Sequence, residues 1–135
     1  MFSTDDLAGT LLSFMDTIRT AAQAALPEAC SLMQVKTLDF ISRSREPSMS
    51  AVAEFLKITS PGATMVVDKL VENGELLRET DPHDRRVIRL SVTPKGHKAL
   101  ERSHEIIAAL LNERLSKLSK TEQKDFRQLL QKVSA

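Results

Sequence analysis

The stretch Asp81-Pro82-His83-Asp84-Arg85-Arg86-Val87-Ile88-Arg89-Leu90-Ser91-Val92-Thr93-Pro94-Lys95-Gly96 brings a turn, an arginine pair, a strand and a helix start into immediate succession. Asp81-Pro82 favours turn initiation, because the proline ring presets its own backbone angle. A short loop is therefore expected around Pro82 to Arg85. Beyond it, Val87, Arg89 and Ser91 alternate with Ile88, Leu90 and Val92. This period of two presses an apolar row against a core and leaves a basic, polar row outside. Leu76 to Thr80 supplies the matching strand before the turn. Thr93 then offers an N-cap oxygen, Pro94 suits the first helical position, and a long helical pattern follows. The stretch predicts a hairpin that hands over directly to a helix.

At the hairpin tip Arg85 and Arg86 follow Asp84, and a guanidinium held by a carboxylate is pre-oriented for a phosphate or a narrow minor groove. From Arg78 to Lys98 there are six basic residues and three acidic ones, a local charge of +3 in a chain whose total is +1. Positive charge is thus concentrated here. The plainer reading of the same residues is a solvated hairpin whose arginines pair with neighbouring acids.

Working outward, Ser60-Pro61 looks like an N-cap followed by a first-turn proline, opening a helix that runs to Asn73-Gly74, where Gly74 makes a good C-cap. A short helix opened by Ser48 or Ser50 and carrying Val52, Ala53 and Leu56 precedes it. Another, from about Ser31 to Arg43, places Val35, Leu38 and Ile41 on one face. Two helices joined by a few residues are the layout of a helix-turn-helix, and the hairpin makes it winged. The expected fold class is mainly α (α+β).

The chain ends carry further amphipathic helices. From Thr4 to about Ala25, capped by Ser3 or Thr4, the residues Leu7, Leu11, Phe14, Met15, Ile18, Ala22 and Ala25 recur at helical spacing. Two helices close the chain, about Thr93 to Leu118 and Lys120 to Val133, the second opened by a Ser119/Glu122 capping box. Their stripes, Leu100, Ile107, Leu111, Leu115 and Leu118, then Phe126, Leu130 and Val133, exceed what one small domain needs to cover. A homodimer packing these helices together is the simplest burial.

Composition narrows the function classes. With 4% aromatic residues and neither Trp nor Tyr, stacking platforms for single-stranded nucleic acid are not expected. Cys30 is the single cysteine, so no internal disulfide forms, and beside Glu28 it reads as inert rather than as an oxidation sensor. His97 and His104 stand too far apart on one helix for a metal pair, His83 lies on the hairpin, and neither a metal nor a cofactor is expected. The Ser, His and Asp residues are dispersed, without a nucleophile elbow or a phosphate loop, which argues against an enzyme. Asp5 and Asp6 stand where a signal peptide needs positive charge, and no apolar run approaches the roughly 18 residues of a membrane span. A cytoplasmic protein is expected.

Three segments together resemble the MarR family of winged helix-turn-helix transcriptional regulators: Pro47-Ser48-Met49-Ser50-Ala51-Val52-Ala53-Glu54-Phe55-Leu56, Val67-Asp68-Lys69-Leu70-Val71-Glu72-Asn73-Gly74, and Asp84-Arg85-Arg86 with Leu90, Thr93 and Gly96. The wing is the most specific part: an aspartate two residues before an arginine, then a strand ending in Leu-x-x-Thr-x-x-Gly. The resemblance covers nearly the whole chain. It implies a single domain over 1–135, with dimerisation helices at 1–30 and 97–135 and a DNA-binding lobe at 31–96. It further implies a homodimeric repressor on double-stranded DNA, with recognition helices in successive major grooves of a pseudo-palindromic operator and wings in the flanking minor grooves. By the same resemblance, Arg86 is the minor-groove arginine, Asp84 is the carboxylate that orients it, and a small aromatic effector releases the operator.

Facing Ala63, Val67 and Leu70 toward the core sends Pro61, Met65, Asp68 and Glu72 outward, flanked by Gly62, Thr64 and Lys69. The DNA-facing turns therefore hold Ser60, Pro61, Gly62, Thr64 and Met65. None can make the bidentate base contact of Arg, Asn or Gln, each worth about 1 to 3 kcal/mol of discrimination. Many relatives carry a basic or polar residue at the position of Met65. Base reading is expected to rest on the Ser60 and Thr64 hydroxyls, on apolar contact of Pro61 or Met65 with thymine methyls, and on close backbone approach at Gly62. Lys69 and Arg85 are expected at phosphates. The rival from another class is a winged interaction module, an adaptor or antirepressor that binds protein rather than DNA.

Overall fold

The computed structural model describes residues 5–135. In chain order the elements are α1 (Leu7–Ala25), α2 (Leu32–Arg43), α3 (Met49–Leu56), α4 (Ser60–Glu72), β1 (Leu76–Thr80), β2 (Ile88–Val92), α5 (Pro94–Leu115) and α6 (Lys120–Ser134). The fold is mainly α with a two-stranded antiparallel sheet. It divides into two compact units, residues 26–105 and, separately, residues up to 25 with 106–135.

In the unit of residues 26–105, each helix starts where a hydroxyl can take an orphan backbone N–H. Ser31 and Gln34 form a capping box, the Ser31 hydroxyl accepting from Gln34 N–H at 3.1 Å and Gln34 Oε1 accepting from Ser31 N–H at 3.0 Å. Of the two serines expected to open α3, Ser48 does so, accepting from Ala51 N–H at 3.1 Å. α3 ends on Lys57 in the left-handed region (φ 55°, ψ 45°), a conformation that costs a side-chain-bearing residue about 1 kcal/mol or more. That turn redirects the chain into α4 within three residues.

α4 closes in a Schellman motif. Gly74 has φ +74°, its N–H donates to Val71 O at 3.0 Å, and Glu75 N–H donates to Leu70 O at 2.9 Å. The core is the intersection of the predicted faces: Val35, Leu38 and Ile41 from α2, Val52 and Ala53 from α3, and Ala63, Val67 and Leu70 from α4 are buried. Leu76, Leu90 and Leu100 from the hairpin and α5 join them. Burying each Val or Leu contributes roughly 1.5 to 3 kcal/mol, which fixes α4 by one face and leaves the other to solvent. The strands pair from Leu76↔Val92 to Thr80↔Ile88, so the apolar row of β2 faces inward with Leu90 at its centre.

In the other unit, Asp6 opens α1, its Oδ1 accepting from Gly9 N–H at 2.6 Å; the expected caps Ser3 and Thr4 lie outside the described residues. α5 ends at Leu115 rather than at Leu118. Lys117 N–H and Leu118 N–H fall back on Arg114 O and Leu115 O in a tight turn, and Gln123 Nε2 satisfies the Leu115 and Leu118 carbonyls at 3.0 and 3.2 Å. The Ser119/Glu122 capping box then starts α6 as expected. The apolar stripes of α1 and α6 are present but largely uncovered: Leu7 is 84% exposed and Val133 74%, with Leu11, Phe14, Met15, Phe126, Leu129 and Leu130 also open. Among the described residues, α6 buries no side chain.

Candidate nucleic-acid interface

α4 presents Ser60, Pro61, Thr64, Met65, Asp68, Lys69 and Glu72 along one exposed face, the complement of its buried Ala63, Val67 and Leu70. One boundary differs from expectation. Thr59, not Ser60, is the N-cap: its hydroxyl accepts from Gly62 N–H at 3.2 Å. Ser60 and Pro61 thereby become the first two helical residues, where a missing proline N–H costs nothing. Thr59→Ala is expected to destabilise the fold by about 1 kcal/mol, read as a lower urea midpoint.

The hydroxyls expected to read bases are not equivalent. Thr64 Oγ1 donates to Ser60 O at 3.0 Å, so its proton is committed to the helix and only its lone pairs face outward. Met65 is 73% exposed and projects an unpaired thioether chain from the middle of the face. Asp68, which repels phosphate, is paired with Arg78 of β1. This contact joins the helix to the hairpin and was invisible in sequence because ten residues separate the partners.

The hairpin loop is longer than expected, running from Asp81 to Val87, which itself lies outside β2. Asp81 N–H donates to Val87 O at 2.9 Å, and Val87 N–H to Asp84 O at 3.0 Å. Within this loop Asp84 holds Arg86 by a fork, Nε to Oδ1 at 3.1 Å and Nη2 to Oδ2 at 3.4 Å, while Oδ1 also accepts Arg86 N–H at 3.1 Å. The Arg86 side chain is 91% exposed. Its hydrogen bonds keep the Asp84 carboxyl below the usual carboxylate range. Arg85 stands exposed beside it.

Sequence reasoning missed Asp81 as a side chain. It is buried although charged, and it accepts from His83 N–H at 2.7 Å, Asp84 N–H at 3.3 Å and the Arg89 guanidinium at 2.6 and 3.0 Å. The His83 N–H foremost, and then Arg89, hold its carboxyl below the usual range. The signal was available, since an aspartate at a turn commonly bonds the backbone two residues on. Arg89 is therefore tied to Asp81, although its own side chain stays largely exposed. Lys95, another of the six clustered cations, donates to Asn73 O at 2.6 Å and so caps the end of α4.

Cys30 is half-buried, with Sγ 3.9 Å from Ser103 Oγ, and burial pushes its thiol pKa up, away from the thiolate a sensor needs. It lines a cavity of about 310 Å³ with Pro27, Glu75, Lys95, Arg102 and Ser103. His104 lies 3.9 Å from Asp39. Among the described residues no group of three His, Cys, Asp or Glu side chains is placed to hold a metal ion, and no helix is long and apolar enough to cross a membrane.

The MarR family model matches residues 31–87, from the cap of α2 through the wing loop. The HTH-type transcriptional regulator YkoM of Bacillus subtilis is 36% identical over 85 residues, which cover 63% of this chain and 55% of that protein, so the match spans little more than half of the relative's length. A mutant MarR from E. coli superposes with a TM-score of 0.87 at 21% identity, covering 98% and 99% of the two chains. The Mycobacterium tuberculosis MarR family protein Rv2887, in complex with salicylic acid, gives 0.76 at 24% identity, with 97% and 99% covered. The family model falls on the lobe that carries α3, α4 and the wing, with the quoted motifs in their expected elements, so residues 31–87 match the MarR family.

Proposed function

We propose that the protein is a homodimeric, sequence-specific DNA-binding regulator of the cytoplasm, a repressor of pseudo-palindromic operators rather than an enzyme. The observation that carries this reading is the Arg86–Asp84 fork. A guanidinium almost wholly in solvent is nonetheless held in one orientation at the end of a hairpin, the arrangement suited to the negative potential of a minor groove. On α4, Ser60, Pro61, Gly62, Thr64 and Met65 meet base edges, while Lys69 and Arg85 meet phosphates. The uncovered stripes of α1 and α6 support a second copy as the partner, because a monomer rarely leaves so much contiguous apolar surface in water.

Release by a small aromatic acid is supported by the cavity beside Cys30. Its volume of about 310 Å³ lies at the lower end of ligand sites, and Lys95 and Arg102 can meet a carboxylate. The salicylic acid complex of Rv2887 supports the same chemistry. Mobility-shift assays on DNA upstream of the protein's own coding sequence test the reading. A discrete complex is expected, footprinting as two half-sites one helical turn apart and dissolving on addition of salicylate. Asp68 and Glu72 on the outward face of α4 favour the interaction module instead, and no complex even at low salt is the result that supports it.

A further inference from the structure

We propose that Asp81 is a positioning residue for the wing, its carboxylate shaping the loop that aims Arg86 at DNA. The proposal rests on the DNA-binding reading above. An aspartate whose side chain is only 10% exposed on a two-stranded hairpin needs a reason to be there, and its partners supply one. Oδ1 gathers the N–H groups of His83 and Asp84 at 2.7 and 3.3 Å, and Oδ2 takes the Arg89 guanidinium at 2.6 and 3.0 Å. The Asp81 N–H also closes the loop on Val87 O at 2.9 Å.

Two carboxylates therefore act in series. Asp81 fixes the backbone of Asp84, and Asp84, so placed, accepts both the backbone N–H and the Nε of Arg86 on one oxygen, each at 3.1 Å. Arg89 is the counter-ion that lets Asp81 stay charged where it is. Its register partner on β1 is Glu79, yet its guanidinium is turned to Asp81. Without Asp81, three sets of donors lose their acceptor together and Asp84 has no fixed place from which to hold Arg86. The six-residue interval from Asp81 to Arg86 is thus one device, with Asp81 touching no DNA itself.

The test is a double-mutant cycle on the intact protein with its upstream DNA, comparing D81A, R86A, D81A/R86A and D81N. Each alanine variant is expected to weaken binding roughly tenfold, and the pair no more than about twofold beyond R86A alone. D81N keeps an oxygen toward the His83 and Asp84 N–H groups and is expected to recover most of the affinity. Losses that multiply in the double variant, or a D81A affinity equal to wild type, overturn the proposal. Asp81 touches only the wing, so D81A is expected to melt below wild type yet stay folded; if it does not fold, the same cycle with D81S decides. A second readout needs no DNA: the Arg86 Nε–H resonance of the free protein is expected to lose its protection in D81A and keep it in D81N, and an unchanged resonance in D81A overturns the proposal. If the wild-type protein binds no DNA, the functional reading falls and this resonance alone decides the role of Asp81.

Discussion

Replacing Arg86 with alanine is expected to weaken operator binding by about 1 to 3 kcal/mol, well beyond the loss from Thr64→Ala. The ranking follows from what each side chain has free to offer. Arg86 is 91% exposed, carries a full charge and is already oriented by Asp84, so little ordering entropy opposes its entry into a groove. Thr64 has given its hydroxyl proton to Ser60 O and retains only acceptor capacity, a contact worth about 1 kcal/mol at most. The rest of the α4 face contains no Arg, Asn or Gln to make a bidentate base contact. Shape reading by the wing is therefore expected to carry a larger share of affinity than in a regulator whose helix presents Arg, Asn or Gln. Anisotropy titrations of the two variants on one DNA fragment give the comparison, and equal or reversed losses reject the ranking.

Gly96→Ala is expected to destabilise the fold by about 1 to 3 kcal/mol or more, as overpacking against unyielding neighbours does. A Cβ at Gly96 stands 2.1 Å from the carbonyl oxygen of Glu75 and 2.7 Å from Val92 Cγ1. The carbonyl cannot easily retreat, because Glu75 is tied on both sides: its N–H closes the Schellman motif on Leu70 O, and its oxygen accepts Thr93 N–H at 3.1 Å. Gly96 is thus the point where the first turn of α5 meets the corner between α4 and β1. Gly62→Ala is the control. Its nearest neighbour is the Thr59 hydroxyl at 3.2 Å, which can shift, and the helix gains up to about 1 kcal/mol of propensity, so its urea midpoint is expected to change little. A Gly96→Ala midpoint within error of wild type contradicts the close approach.

Local chemistry is what the sequence made legible. The period of α4 named Ala63, Val67 and Leu70 as its buried face, the alternation of β2 put Leu90 inward, and Ser48 and Ser119 cap the helices their positions suggested. Each depends only on residues within one turn or one strand. The shift of the α4 cap to Thr59 was not legible, because Thr59 and Ser60 are adjacent and both competent. Nor was the left-handed Lys57, which no glycine announces. The larger misses are pairings across the fold. Charge counting treated Arg78 and Arg89 as part of the basic footprint, whereas Asp68 and Asp81 hold them. The Leu-x-x-Thr-x-x-Gly motif carried the family resemblance, yet the reason for its glycine is the Glu75 carbonyl, more than twenty residues away in the chain.

Engagement of a DNA duplex by the wing and the α4 face is tested most directly by titrating the wild-type protein against its upstream DNA in rising salt. Lys69 and Arg85 on each of two protomers predict a fall in log affinity against log salt with a slope on the order of −4, from about −0.9 per neutralised phosphate. A complex absent at about 50 mM salt, or an affinity that salt leaves unchanged, contradicts the account.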